Sequence, residues 1–386
     1  MMQPSIYRMR VQDILVICVL ALMCLGVVMV QSASMSVANA GQAMRWHWTD
    51  AGTRHLIFVA IALVTFFGVG FVDYGRLLQG GWLRNPILWF LVISGLACVA
   101  VLVPGIGQEV NGARRWFRVG PIQIQPSELG KWAVVLLLAW VLAERTIDVS
   151  KFSGFVAMLI PVGAICLLVV IEDFGTAALI GLCALAMCMA GRVKLWHLAV
   201  VVPPVIVAGM YFVMHKEYRW RRMTAFMDPY AAPEKEGYHM IQSLLSFSTG
   251  GVFGRGLGRG IQKLGYLPED TTDFIFAVIS EELGLFGAML TIALYLGILY
   301  VVWQAIRQRQ DAFGQLLAFG VGAMIAIQAL INIAVATVSV PPKGMSLPLV
   351  SAGGSGLVIT SGALGLLYSV CRGRKREEAG QVMNGE

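Results

Sequence analysis

Residues 266–282 read YLPEDTTDFIFAVISEE. Three acids, Glu269, Asp270 and Asp273, stand just before an apolar run, and two more, Glu281 and Glu282, lie inside it. Ionisable groups at a membrane boundary are costly to desolvate, so their presence there points to function. The apolar run continues to Trp303, long enough to cross a bilayer. The stretch therefore reads as the acidic entrance to a membrane span. Asp273 is the candidate to carry the chemistry, with the rest of the chain building a lipid-facing cradle around it.

Composition supports that reading. Of 386 residues, 58% are hydrophobic and 13% charged, and the mean hydropathy is +0.74. Soluble domains run near half apolar and a quarter charged, so this chain is a polytopic membrane protein. Its formal charge of +7 is explained by basic residues that orient membrane segments. A nucleic-acid binder would not have this hydropathy, so no nucleic-acid partner is expected. The five His residues (His47, His55, His197, His215, His239) lack metal-ligand spacing, and no metal centre is expected from them. Six of the seven Cys sit inside apolar runs and Cys371 closes the last, as small core hydrophobes without a disulfide framework. The first apolar run follows Arg8 and Arg10 as a secretory signal would, but its length and the lack of a clean cleavage site make it a span.

About 20 apolar residues cross the ~30 Å hydrocarbon core. Ten such runs are legible, at 14–32, 55–72, 86–103, 129–142, 155–171, 174–190, 198–214, 274–303, 316–338 and 356–370. The expected fold is an all-α integral membrane protein, a single polytopic domain over residues 1–386. The fourth span is short, and Ser127 is placed to cap and extend it. The eighth is long enough for one tilted helix that projects past the bilayer. Arg8, Arg10, Arg76, Arg84, Arg145, Lys151, Arg192, Lys194, Arg307, Arg309 and the tail's Arg372, Arg374, Lys375 and Arg376 fall on one side. The positive-inside rule makes that side cytoplasmic, with both termini inside. It leaves a cytoplasmic tail at 372–386 and a large extracytoplasmic loop at 215–273, between helices 7 and 8.

The opposing loops are also basic, through Arg114, Arg115 and Arg118 in one and Lys216, Arg219, Arg221 and Arg222 in another. Such clusters need a different reason, and an anionic ligand on the outer face supplies one. An interfacial aromatic belt accounts for Trp116 and Phe117. Three Arg in five residues exceed what that belt needs, and guanidinium forks match phosphate oxygens. A third outer loop spans 339–355. The run GGVFGRGLGRG at 250–260 has no strand before it and no helix signature after it, so it reads as tight turns and not as a dinucleotide fingerprint. No internal repeat supports an inverted-repeat transporter.

Two positions leave alternatives open. Glu128 and Lys131, at i and i+3 in a first helical turn, lie about 60° apart. They read as a local capping pair or as a lysine that holds a catalytic carboxylate in its charged form. Asp273 reads as an N-cap. With Thr272 able to cap instead, it also reads as a free acid at a helix N-terminus, where the dipole favours an anion. Glu281 and Glu282 would lie about 12–13 Å deeper on a straight helix, and read as buried hydrogen-bonders to neighbouring helices.

The motifs, in order, are GARRWF (112–117), QPSELGK (125–131), EDFGT (172–176), FMDP (226–229), QS (242–243), YLPE (266–269), TDFIFA (272–277), EELG (281–284), KGMSLP (343–348) and SAGGS (351–355). Through them the chain resembles the SEDS family (FtsW, RodA, SpoVE), polytopic peptidoglycan glycosyltransferases, from the first span to the last. LGYLPE (264–269) and KGMSLP look more like the division branch (FtsW, SpoVE) than the elongation branch (RodA). Residues 339–342 read SVPP where the family more often has LLPT, residues 351–354 read SAGG where SYGG is usual, and Thr271 replaces a common His or Gln.

The resemblance implies polymerisation of lipid II, a disaccharide-pentapeptide on undecaprenyl pyrophosphate, in septal wall synthesis. It places the chain in the bacterial inner membrane. The family's essential acid matches Asp273, and its Pro-Ser-Glu-x-x-Lys pair matches Glu128 and Lys131. Asp273 would act as general base on the acceptor sugar's 4-hydroxyl. Arg114, Arg115, Arg222 and Lys343 would offset charge on the departing pyrophosphate, with Trp116, Gln242 and Ser351 as further substrate contacts. An α-linked donor that gives a β-linkage implies inversion in one displacement. No cofactor is required, although a divalent cation (Mg or Mn) at Asp273 is an open alternative. A class B penicillin-binding protein transpeptidase is the implied partner, with other divisome or elongasome membrane proteins. The rival readings are a lipid II flippase, an elongation-type polymerase and a non-catalytic scaffold. A flippase would need a polar path through the bilayer, whereas the charges here gather at the outer face.

Overall fold

The computed structural model describes residues 9–34, 51–81, 84–110, 113–120, 122–215, 217–235, 237–263, 267 and 269–383. Several residues named above lie outside these: Arg8, His47, Gly112, Lys216, residues 264–266 and Pro268. So do the side chains of Arg219, Arg374, Lys375 and Arg376.

The chain folds as a helical bundle. In order the apolar helices are α1 (Val11–Ala33), α2 (Ala51–Phe71), α3 (Pro86–Leu102), α4 (Pro126–Glu144), α5 (Phe152–Val170), α6 (Phe174–Ala190) and α7 (Leu195–Met214). Two shorter helices follow, α8 (Glu217–Met227) and α9 (Tyr238–Gly250), and then α10 (Ile275–Gln308), α11 (Ala312–Ala336) and α12 (Ser355–Met383). Among the described residues eight helices are long and apolar enough to cross a membrane. The 17-residue apolar helices α3 and α6 bring these to the ten expected.

Start signals are local. Asn85 accepts from the Ile87 amide ahead of Pro86 in α3, and Asp311 accepts from the Gly314 amide in α11. Helix α4 begins three residues earlier than its apolar run, but Ser127 is not its cap. Pro126 opens it behind Gln125, and the Ser127 hydroxyl is buried without a partner among the described residues. A proline at the first helical position has no amide to satisfy and a φ already suited to the helix.

Helix α4 lies at the centre, 89% of its membrane window buried against α3, α6 and α11. Helix α1 packs on α10, and α2 on α12. By contrast α7 is mostly exposed, with Val205, Ile206, Val207 and Met210 facing outward as a lipid-contacting surface would.

Three features depart from the sequence expectation. The loop before α4 carries a small antiparallel sheet, β1 (Gln108–Val110), β2 (Ala113–Val119) and β3 (Ile122–Ile124), in the order β1-β2-β3. The segment at 339–354 is not a surface loop, because Leu347, Leu349 and Val350 are buried inside the bundle. Leu349 turns there with a φ of 66°, a left-handed conformation that a branched side chain adopts only when its surroundings impose it.

The third departure is α10, which is not one continuous tilted helix. It breaks at Gly284, with φ 67° and ψ −159°, a conformation open to glycine alone. A Cβ there would run into the backbone of Gly254 and Val252. The glycine segment after α9 fills the break. The Arg255 amide donates to the Glu281 carbonyl (3.0 Å), the Gly256 amide to the Glu282 carbonyl (2.9 Å), and the Leu285 amide to the Gly251 carbonyl (3.0 Å). Backbone groups freed by a break inside a membrane protein must be satisfied by other protein groups, and here they are.

Candidate active site

The stretch 269–273 sits where α10 begins, where Asp273 meets the charges of Asp173 at the start of α6, Arg115 of β2 and Arg222 of α8, and residues 271–273 meet the buried segment 343–352. Neither Thr272 nor Asp273 caps α10. Phe274 is the N-cap position and makes no side-chain cap, while the Thr272 hydroxyl bonds the Glu269 carboxylate at 2.9 Å. Among the described residues the Asp273 carboxylate takes no hydrogen bond, and its Oδ2 faces Gly344. Burial pushes Asp273 up to about 7, and the negative charges of Glu269 and Asp173 push the same way. Arg222 and Arg115 pull against them. Burial likewise pushes Asp270 up to about 6.

Each residue of the EDFGT motif has a task that the sequence reading did not assign. Glu172 accepts the Arg114 amide (2.9 Å) and so anchors β2. Asp173 caps α6 through the Gly175 and Thr176 amides, both at 3.0 Å, and lies 3.7 Å from Arg115 Nη1. Phe174 carries Lys343 Nζ over its ring at 5.0 Å. Gly175 leaves the space through which the Lys343 stem passes. The signal was present as an acid at a helix start, but its partners lie far away in the sequence.

Glu128 and Lys131 do pair. Lys131 Nζ is 2.6 Å from Glu128 Oε2 and donates to Gln328 Oε1 at 2.8 Å, with its side chain fully buried. A charge this deep is tolerated only when paired and hydrogen-bonded. The Glu128 carboxylate borders a small cavity of about 10 Å³ beside Ser346, Ser351 and Gly353, room for about one water.

The structure thus gathers Asp273, Arg115, Arg222 and Lys343 about one boundary, with Glu128 and Lys131 behind them. Other residues fall elsewhere. Strand alternation turns Arg114 away from Arg115, to Glu109 at 3.3 Å, where with Leu102, Ile171 and Glu172 it lines a separate open cleft of about 440 Å³. Ser351 is buried and ties segments together, donating to the Thr272 carbonyl and accepting the Leu347 amide. Gln242 is half-buried on α9, and Trp116 is half-buried in β2 opposite Gln108. Among the described residues no three His, Cys, Asp or Glu side chains converge as metal ligands would.

Helices that bury a charged pair and present an acid and several cations at one end define a class: a multi-pass membrane protein with an ionic site at the mouth of its bundle. The FtsW/RodA/SpoVE cell cycle protein model matches residues 12–376. The chain belongs to that family. It is 39% identical to the probable peptidoglycan glycosyltransferase FtsW of Nitrosococcus halophilus, covering 95% of this chain and 92% of that one. It is 36% identical to the protein of the same name in Coxiella burnetii, covering 92% and 95%. A chain solved in work on the structural coordination of polymerization and crosslinking by a peptidoglycan synthase complex superposes with a TM-score of 0.74 at 27% identity, covering 93% of this chain and 97% of that one. The rod shape determining protein RodA of Thermus thermophilus gives 0.65 at 25% identity, covering 93% and 96%.

Proposed function

We propose that the chain is a peptidoglycan glycosyltransferase that polymerises lipid II at the outer face of the bacterial inner membrane, in cell division. The observation that carries this reading is Asp273, a carboxylate held near neutrality beside Arg115 and Arg222. A general base works best with a pKa near the operating pH. Asp273 takes the proton of the acceptor sugar's 4-hydroxyl as that oxygen attacks the donor's anomeric carbon. The bond to the pyrophosphate breaks, and the charge it leaves is met by Arg115, Arg222 and Lys343. The Nε of Arg115, buried and without a partner among the described residues, is a donor suited to a phosphate oxygen. Glu128 and Lys131 hold the wall behind the base.

The division role is supported by the relatives, which carry the name FtsW at 35–39% identity. The complex that this fold resembles is described as a peptidoglycan synthase, which favours a class B penicillin-binding protein as partner. Basic inner loops favour cytoplasmic termini. The test is polymerisation of lipid II by purified protein, alone and with its transpeptidase, next to a lipid II translocation assay in vesicles. Glycan chains from the wild type support the reading. Translocation without glycan chains would replace it with a flippase.

A further inference from the structure

We propose that Asn332 and Gln328, one turn apart on α11, are positioning residues that hold the base and the buried ion pair in a common frame. The inference rests on the reading of Asp273 as the base. Both side chains are buried on one face of the helix. Asn332 Nδ2 donates to the backbone carbonyls of Asp273 (2.9 Å) and Met345 (2.6 Å). Two carbonyls fix the orientation of this amide, because the flipped form would set oxygen against oxygen. Its Oδ1 is buried with no partner among the described residues, so the side chain accepts an unsatisfied oxygen in order to grip two carbonyls. Gln328 is fixed as firmly. Its Oε1 accepts from Lys131, which can only donate, and its Nε2 donates to the Ser346 carbonyl at 2.8 Å.

The two amides therefore form a ladder. Both grip the same buried segment, at Met345 and Ser346. One reaches on to Asp273 and the other to Glu128 and Lys131. Ala352 and Ser351 tie that segment to the carbonyls of Thr271 and Thr272. Residues 271–273 precede a helix that has no side-chain cap, so the aim of the Asp273 carboxylate depends on what grips its backbone. Asn332 is the only side chain, among the described residues, that hydrogen-bonds the Asp273 carbonyl.

The test is lipid II polymerisation by Asn332→Leu and Gln328→Met, with Thr337→Val as the control. Among the described residues the Thr337 hydroxyl bonds only the last turn of α11 and the Ser339 hydroxyl just beyond it. The expected result for Asn332→Leu is a kcat at least tenfold lower with KM for lipid II within twofold. The acid limb of the pH–rate profile moves below its wild-type position as the carboxylate turns outward. The charges that act on Asp273 stay in place, Glu269 on its own segment, Arg222 of α8, Arg115 of β2 and Asp173 at the start of α6, as do Lys343 over the Phe174 ring and the His239 ring of α9 stacked on Phe274. A shifted limb thus reports movement of the carboxylate. Hydrogen exchange should quicken at residues 271–275 and 345–347 but not in α9. If Asn332→Leu does not fold, Asn332→Ser, whose smaller side chain admits a water, replaces it. A folded variant with wild-type rate, or one that loses rate with the acid limb and exchange unmoved, overturns the proposal. Absence of polymer from the wild type would count against the polymerase reading instead, and exchange at 271–275 would still decide whether Asn332 grips the base.

Discussion

Asp273 and the pair Glu281–Glu282 belong to one stretch of chain, yet their surroundings are opposite. Glu282 receives Ser32 Oγ (2.7 Å), the Gly258 amide (3.0 Å), the Gly260 amide (3.3 Å) and Lys263 Nζ (2.7 Å). Glu281 receives the amides of Ile261 (2.8 Å) and Gln262 (3.2 Å). Both are fully buried and fully engaged, so their charge fastens the glycine segment and α1 to the break in α10. Among the described residues Asp273 has no such donors, and it lies among charges of both signs. Satisfied acids hold a fold together, whereas an acid left short of partners is available to take a proton.

The sharpest way to break this comparison is at Asp273 itself. Asp273→Ala should lower polymerisation by about 10²–10⁴, the range of a general base, with the melting temperature in detergent not lowered, because the ionisation that opposes folding is gone. Next comes Lys263→Met, which leaves Glu282 buried and unpaired. Loss of one partner from a buried pair costs about 3–5 kcal/mol, read as a lower melting temperature with activity per folded molecule retained.

A third effect is graded. Asp273 is pushed up from 3.8 to about 7, and only its ionised form accepts a proton. The rate should therefore fall as pH falls through about 7, approaching tenfold per unit below it. Stability should move the other way. A carboxyl raised on folding opposes its own ionisation, so its contribution is fullest below 3.8 and is lost as pH rises towards 7. A pH–rate profile and a pH series of melting curves check the two signs.

Smaller still is Arg115→Lys, which keeps the charge but loses the fork and should slow the rate about tenfold, about 1.4 kcal/mol. The smallest effect separates an unpartnered group from a functional one. Ser127 has a buried hydroxyl without a partner among the described residues and does not cap α4. Ser127→Ala should change stability by no more than about 0.5 kcal/mol, measured by the same melting assay.

Hydropathy made most of the fold legible, because runs of about 20 apolar residues have few options in a membrane. It could not show the break at Gly284, since a glycine inside an apolar run looks like any small residue until Gly254 is known to press on it. Nor could it show the descent of 343–352 into the bundle, which depends on Asn332 and Gln328 meeting carbonyls from another part of the chain. In the site, Asp273 and the Glu128–Lys131 pair were readable from charge within apolar surroundings. The separation of Arg114 from Arg115 was not, because it follows from a short strand in a loop that gave no strand signal. Asp173 was missed for a similar reason: its partner Arg115 is 58 residues away.

The most direct test sets Asp273→Asn beside Glu282→Gln, with lipid II polymerisation rates expressed per folded molecule. The account predicts almost no product from the first, despite melting no lower than the wild type's, and near-wild-type turnover from the folded fraction of the second, despite lower melting. Product from Asp273→Asn at the wild-type rate, or a folded Glu282→Gln without activity, would contradict it.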